Sequence, residues 1–385
     1  MKNFRATLLH FLNECRDNAF HARVRGILFG NHAGPVLLLL LVACISAYLR
    51  VNYIPLVVNS DTTQYIQTAQ YLAEDPAGIA HGNRLLKPLA PMGMAVLAPY
   101  FDGNYATALE VLSIVCYLLL TIVIYFFAYH FLTSRFEAFC ATLLYSTSYP
   151  MLMYGLDLYT ETGAWLFHLL GLYYAVRYYR TPYLKYVTLS ALTTTVGFLW
   201  KEYAALSGLA LGLLILLAHT PWKTKLGHLA VAGVLALPIL IGWQVHVYQV
   251  YDYSYLDWFI TGHGEPEATS QYSLFYIVKS MFALFLGGWF LVMSGMYLWR
   301  TFTREDRVPG MIAIFTSLGF LAWGYVSSRL YFVLAPMLAV FAGRGTRILS
   351  KRTTQITLVI LIVSMNYTWL FVANTPAIRA WLVAL

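Results

Sequence analysis

Long apolar runs separated by short polar links dominate this chain. Eleven of them, at residues 34–51, 107–132, 138–153, 160–179, 185–200, 203–218, 228–250, 273–299, 309–325, 330–343 and 355–373, are read as membrane-spanning helices. A bilayer core takes about 20 apolar residues as helix, so the fifth and tenth runs are short. Runs five and six are separated only by Lys201-Glu202, with no Gly or Pro to break them. They are either two spans or one fused helix, and the charge bias decides between these.

With a cytoplasmic N-terminus and eleven spans, 18 of the 25 Lys and Arg residues fall inside. Fusing runs five and six inverts everything downstream and lowers that count to 12. The positive-inside rule therefore favours eleven spans and an outer C-terminus. Of the 17 acids, only Glu14, Asp17, Glu137, Glu305 and Asp306 lie inside. Acids carry little topological weight, so their outer excess is either incidental or the mark of a polar site.

Composition agrees with the pattern. Hydrophobic residues make up 59% of the 385 and charged residues 11%, with a mean hydropathy of +0.63. A soluble domain of this length needs far more charge on its surface, so the fold class is an all-α polytopic transmembrane bundle. Three parts follow. Residues 1–33 form a cytoplasmic, basic, amphipathic arm suited to the anionic inner leaflet. Residues 34–373 form the transmembrane domain, with a large first outer loop at 52–106, and residues 374–385 form a short outer tail. No connection is long enough for an appended soluble domain.

Several chemistries are disfavoured. Cys15, Cys44, Cys116 and Cys140 lie in the arm or in spans, which predicts no disulfide and no metal-type spacing. There is no GxxxxGK[ST] or GxGxxG cradle for a nucleotide, and no internal repeat. The net charge of +8 sits mainly on the cytoplasmic side, as membrane topology requires, and does not argue for nucleic acid. A membrane enzyme with its acids outside would draw an activated donor through the membrane on a lipid carrier.

The first outer loop carries the densest chemistry. Asp61, Tyr65, Thr68 and Leu72 recur at helical spacing and share one face if 61–73 is a helix. Asp61 would sit in the first turn, with Ser60 as N-cap and Glu74-Asp75-Pro76 closing the helix. Asp61 is then either a surface capping residue or a reactive carboxylate. Arg84 and Lys87, three apart and just before Pro88, suit convergence on an anion, Arg as a planar fork and Lys as a point charge. They serve either a bound phosphate or phospholipid headgroups. His81 adds a titratable donor.

Further outer-face candidates are Asp157 and Glu161, Lys201 and Glu202, and Arg329. The four-residue spacing of Asp157 and Glu161 predicts that both face one way at the start of span four. Lys201-Glu202 is either a local ion pair at a tight turn or part of the site. Four such clusters on one side of a charge-poor protein point to one polar site.

The order of these motifs resembles the GT-C superfamily of integral membrane glycosyltransferases, in particular its protein O-mannosyltransferase-like branch. The resemblance rests on Asp61-Thr62-Thr63-Gln64-Tyr65, Arg84-Leu85-Leu86-Lys87-Pro88-Leu89, Leu156-Asp157-Leu158, Gly197-Phe198-Leu199-Trp200-Lys201-Glu202 and Ser328-Arg329-Leu330-Tyr331-Phe332-Val333-Leu334-Ala335-Pro336. Each is short; their order and shared side give the match its weight. The resemblance implies transfer of a sugar from a polyprenyl-phosphate carrier to a glycan, lipid or protein acceptor at the outer face of the cell (inner) membrane, usually with inversion.

It further implies Asp61 as catalytic carboxylate and Arg84, Lys87, Lys201 and Arg329 as phosphate-binding cations. Tyr65, His81, Asp157, Glu161 and Glu202 would orient acceptor or sugar. The sequence departs from larger members in lacking a soluble C-terminal domain and in having one Asp where a paired acidic signature is usual. No cofactor is assigned, since one carboxylate makes a poor hard-cation site for a divalent metal. The rival readings are a transporter or flippase of a lipid-linked or anionic solute, and a non-catalytic membrane subunit.

Overall fold

The computed structural model describes residues 31–56, 58–264, 274–322 and 328–375. The basic arm expected before residue 31 and most of the expected outer tail lie outside the described residues. Among the described residues all regular structure is helical. The helices are α1 (Ala33–Tyr53), α2 (Ser60–Leu72), α3 (Leu89–Leu97), α4 (Tyr105–Leu132), α5 (Arg135–Ser146), α6 (Glu161–Arg180), α7 (Leu184–Trp200) and α8 (Leu206–Leu217). They continue as α9 (Trp222–Tyr251), α10 (Tyr255–Gly264), α11 (Leu274–Leu284), α12 (Trp289–Tyr297), α13 (Arg304–Ser317), α14 (Ala335–Gly345) and α15 (Arg352–Ala373).

Among the described residues four helices, α1, α4, α9 and α15, are long and apolar enough to cross a membrane, and a bent pair adds a fifth if it is one span. The other predicted runs form shorter or more polar helices. With this apolar content the chain is an integral membrane protein. At the centre, α6 packs against α4, α7 and α8, while α14 packs against α12 and α5. The α12–α14 contact is backbone against backbone. A Cβ on Gly295 would lie 1.8 Å from the Phe341 carbonyl oxygen, and one on Gly345 would lie 1.9 Å from that of Leu291. Such small-residue contacts are how helices approach closely where lipid offers no hydrophobic drive.

Helix α2 matches the predicted 61–73 segment, but its cap differs. Asn59 is the N-cap, its side chain accepting from the Thr62 amide at 3.0 Å, and Ser60 is the first helical residue. This frees Asp61 from capping, so its carboxylate points elsewhere.

Several predicted runs are not single helices. In 138–153, α5 stops at Ser146 and the chain passes Pro150 into a wide turn at Met151–Gly155. Run 273–299 bends by 87° between Tyr276–Leu284 and Trp289–Thr301, where Gly287 holds φ +68°, open to glycine at little cost. Run 330–343 opens with the tight turn Ser328–Leu334 before α14.

Runs five and six are separate helices. Lys201 is extended, with φ −163° and ψ 133°, and the turn Glu202–Ala205 leads into α8. No Gly or Pro makes this break. The two side chains leave in different directions, each to a charged partner on another element.

Candidate active site

The second residue of α2 is the hub of the polar cluster. Asp61 Oδ1 accepts from Arg84 Nη2 at 2.5 Å, and Oδ2 accepts from Arg329 Nη2 at 2.7 Å. Arg329 Nε lies 2.9 Å from Glu161 Oε1 as an ion pair, and Lys201 Nζ reaches the same oxygen at 2.5 Å. Five elements far apart in sequence thus meet through charge: α2, the 81–88 turn, the first residue of α6, the Lys201 break after α7 and the Ser328–Leu334 turn. The Lys201–Glu161 contact explains why the chain breaks between α7 and α8.

Lys87 lies beside this chain of ion pairs, with Nζ 2.8 Å from Glu202 Oε2. Both residues are buried. Aromatic faces back the cations. Arg84 lies over the Tyr65 ring at 4.5 Å, Lys87 over Trp258 at 4.8 Å and Arg329 over Tyr159 at 4.7 Å. Such faces favour a cation over a neutral group. The cluster carries four cations (Arg84, Lys87, Lys201, Arg329) and three carboxylates (Asp61, Glu161, Glu202), a surplus of one positive charge.

The carboxylates differ sharply in access. The Asp61 side chain is 32% exposed, against 0% for Glu161 and 6% for Glu202. Burial alone would raise the Asp61 carboxyl, but the charges of Arg84, Lys201 and Arg329 outweigh it and hold the group well below the ordinary carboxylate range. Asp61 is therefore ionised at any working pH, and its position in the first turn of α2 reinforces this.

The remaining predicted site residues divide. Tyr65 is buried beneath Arg84, inside the cluster. His81 lies at the margin, its Nε2 paired with Gln67 Oε1 at 2.7 Å. Burial and the nearby Arg84 lower its pKa, so it is largely uncharged near neutrality.

Asp157 departs from its expected partnership with Glu161. The segment between them is not helical, because the Asp157 side chain takes the Leu158 amide at 2.8 Å and the Tyr159 amide bonds back to the Asp157 carbonyl. The two acids therefore do not share a helix face. Asp157 pairs instead with Arg50 at 2.9 Å, their side chains 1% and 0% exposed.

Several participants were not read as such from the sequence, Tyr159 beneath Arg329 among them. Arg50 sat at the end of the first apolar run and was absorbed into the span. Gln64 accepts from Arg84 Nε at 3.1 Å and from Asn83 Nδ2 at 3.0 Å. One helical turn after Asp61, it had the spacing that would have flagged it. Trp258 lies far along the chain, with no sequence signal linking it to Lys87.

Residues 88–243 match the model of the dolichyl-phosphate-mannose-protein mannosyltransferase family. No curated protein matches the chain. The fold is similar to that of ArnT from Cupriavidus metallidurans bound to undecaprenyl phosphate, with a TM-score of 0.65 at 16% identity, covering 91% of this chain and 72% of that one. It is also similar to the oligosaccharyltransferase of Archaeoglobus fulgidus in its apo form, with a TM-score of 0.57 at 11% identity, covering 88% of this chain and 55% of that one. The family match covers the central part of the chain, and the shared helical architecture gives it the fold of these two membrane proteins.

Proposed function

We propose that the protein transfers a sugar from a polyprenyl-phosphate donor to an acceptor hydroxyl or amine, with Asp61 as general base. The observation that carries this reading is Asp61 itself: the most exposed carboxylate of the cluster, held between two arginines that each suit a phosphate. The acceptor gives its proton to Asp61 as its heteroatom forms a bond to the anomeric carbon. The bond from that carbon to the phosphate oxygen breaks on the opposite face, and its electron pair leaves with the phosphate. The product is the inverted glycoside together with polyprenyl phosphate.

Arg84, Lys87, Lys201 and Arg329 offset charge developing on the leaving phosphate. The surplus of one positive charge suits a phosphodiester, which carries one negative charge. A donor phosphate competes with Asp61 for Arg84 and Arg329, and drawing them away restores basicity to the carboxylate. Glu161 and Glu202 keep Lys201 and Lys87 in place, and Tyr65 supports Arg84 from below. His81 is available to a sugar or acceptor hydroxyl, whereas Asp157 acts through Arg50 on the loop that carries α2.

The reading includes eleven spans, a cytoplasmic N-terminus and a site on the extracytoplasmic face of the cell membrane. What supports it is the partition of ion pairs among the described residues. Arg50, Asp61, Arg84, Lys87, Asp157, Glu161, Lys201, Glu202 and Arg329, all outer in that topology, pair with one another. Glu137 pairs with Arg344 and Arg347, and Arg180 with Asp306, all inner. Each of these pairs joins residues of one side.

The acceptor is a glycan, lipid or protein presented at that face. Mass spectrometry of lipid-linked sugars and surface glycans in a deletion strain tests the function. Accumulation of one polyprenyl-phosphate sugar, with loss of that sugar from a surface acceptor, is expected; an unchanged profile of both would count against transfer.

A further inference from the structure

Helix α9 is 30 residues long, and Val247 is its only buried residue. That residue packs with Leu85 and Leu86, the two residues between Arg84 and Lys87. Four positions earlier on the same helix, Trp243 Nε1 donates to the Leu85 carbonyl at 2.8 Å, and Gln244 Nε2 reaches that of Leu86 at 3.4 Å. The segment after α9 continues the grip. A Cβ on Gly82 would lie 2.7 Å from Tyr253 Cγ, so that ring rests on the start of the turn. The Trp258 ring lies 4.8 Å from Lys87 Nζ at its other end.

The one residue that α9 buries fully, with two hydrogen-bond donors beside it, thus holds the turn that carries two donor cations. The turn cannot fix itself. Gly82–Leu85 is a single helical turn without a side-chain cap, and it leaves the Leu85 and Leu86 carbonyls to outside donors. A bilayer core takes about 20 helical residues, so the outer part of a 30-residue helix has length to spare for reaching beyond it.

We propose that the outer end of α9 and the following segment form an aromatic clamp, through Trp243, Tyr253 and Trp258, that positions Arg84 and Lys87 for the donor phosphate. The proposal rests on the donor-phosphate reading of those two cations. Trp243, Tyr253 and Trp258 are positioning residues: they set how tightly the phosphate end is held, by fixing the backbone of the turn and the direction of the Lys87 ammonium.

The test is binding of undecaprenyl phosphate to the full-length protein in nanodiscs, with melting temperature measured in parallel. Trp243→Phe keeps the ring and removes the N–H; it is expected to raise Kd about five-fold, as loss of one hydrogen bond does. Trp258→Leu, which keeps an apolar side chain without a π face, is expected to raise Kd about three-fold, and Trp258→Phe to recover most of that. Recovery by Phe separates cation positioning from packing, and it decides the matter if Trp243→Phe lowers the melting temperature. Unchanged Kd in Trp243→Phe and Trp258→Leu, with weakened binding in Arg84→Ala, overturns the clamp alone. Unchanged Kd in Arg84→Ala and Lys87→Ala overturns the donor-phosphate reading and the clamp with it.

Discussion

Removing the Asp157 carboxylate should cost stability and leave the chemistry of the folded protein largely intact. Arg50 and Asp157 meet at 2.9 Å with side chains 0% and 1% exposed, so neither charge has water to fall back on. Two unit charges about 4 Å apart at an effective dielectric near 20 attract by about 4 kcal/mol. Breaking a buried pair from one side costs about 3–5 kcal/mol, because the survivor stays buried and uncompensated. Arg50 retains Nη1 donation to the Ile54 carbonyl at 2.8 Å, which softens the loss. Asp157→Ala is therefore expected to destabilise the protein by about 3 kcal/mol. The double variant Arg50→Met/Asp157→Leu, which removes both charges and keeps bulk, should recover at least half of that. Denaturant unfolding in detergent micelles, with turnover normalised to the folded fraction, measures both effects. A loss below about 1 kcal/mol in Asp157→Ala, strict additivity in the double variant, or a ten-fold fall in normalised turnover would refute the reasoning.

Neutralising Arg84 or Lys87 should weaken binding of a polyprenyl phosphate by about ten-fold each, read by titration in nanodiscs; unchanged affinity in both would make them headgroup anchors. Gly295→Ala should strongly destabilise the bundle, since its Cβ would fall 1.8 Å from the Phe341 carbonyl oxygen, and a melting temperature equal to wild type would contradict the α12–α14 contact. The pH dependence has a definite sign. The folded Asp61 carboxyl lies below its unfolded value, so its stabilising contribution is complete above about pH 5 and fades as pH falls below about 4. The difference in melting temperature between wild type and Asp61→Asn should be constant from pH 7 to about 5 and shrink below about 4; a difference that grows on acidification would contradict the ion pairing.

The legible part of this protein was what local periodicity and charge counting report. Apolar runs marked the helices, the Asp61 face marked α2, and the positive-inside bias split α7 from α8 where no Gly or Pro did. What stayed hidden depended on long-range partners. The Lys201 break exists because Glu161, 40 residues earlier, takes the ammonium. Asp157 looked like a helical neighbour of Glu161 because spacing alone cannot tell that its own side chain caps a turn and delays the helix to residue 161. Arg50 was concealed by its apolar surroundings, and its partner lies 107 residues away. Trp243 and Trp258 carried no sign of their role, since a tryptophan near a bilayer boundary is expected on interfacial grounds alone.

The central claim is that Asp61 performs base catalysis in sugar transfer rather than merely pairing with arginines. The direct measurement compares wild type with Asp61→Asn in proteoliposomes loaded with a polyprenyl-phosphate sugar, following both release of polyprenyl phosphate and appearance of glycosylated acceptor. The account predicts that transfer falls by about 10²–10⁴-fold while polyprenyl phosphate binding is kept or tightened, since the competing carboxylate charge is gone. Transfer by Asp61→Asn within about three-fold of wild type would contradict it.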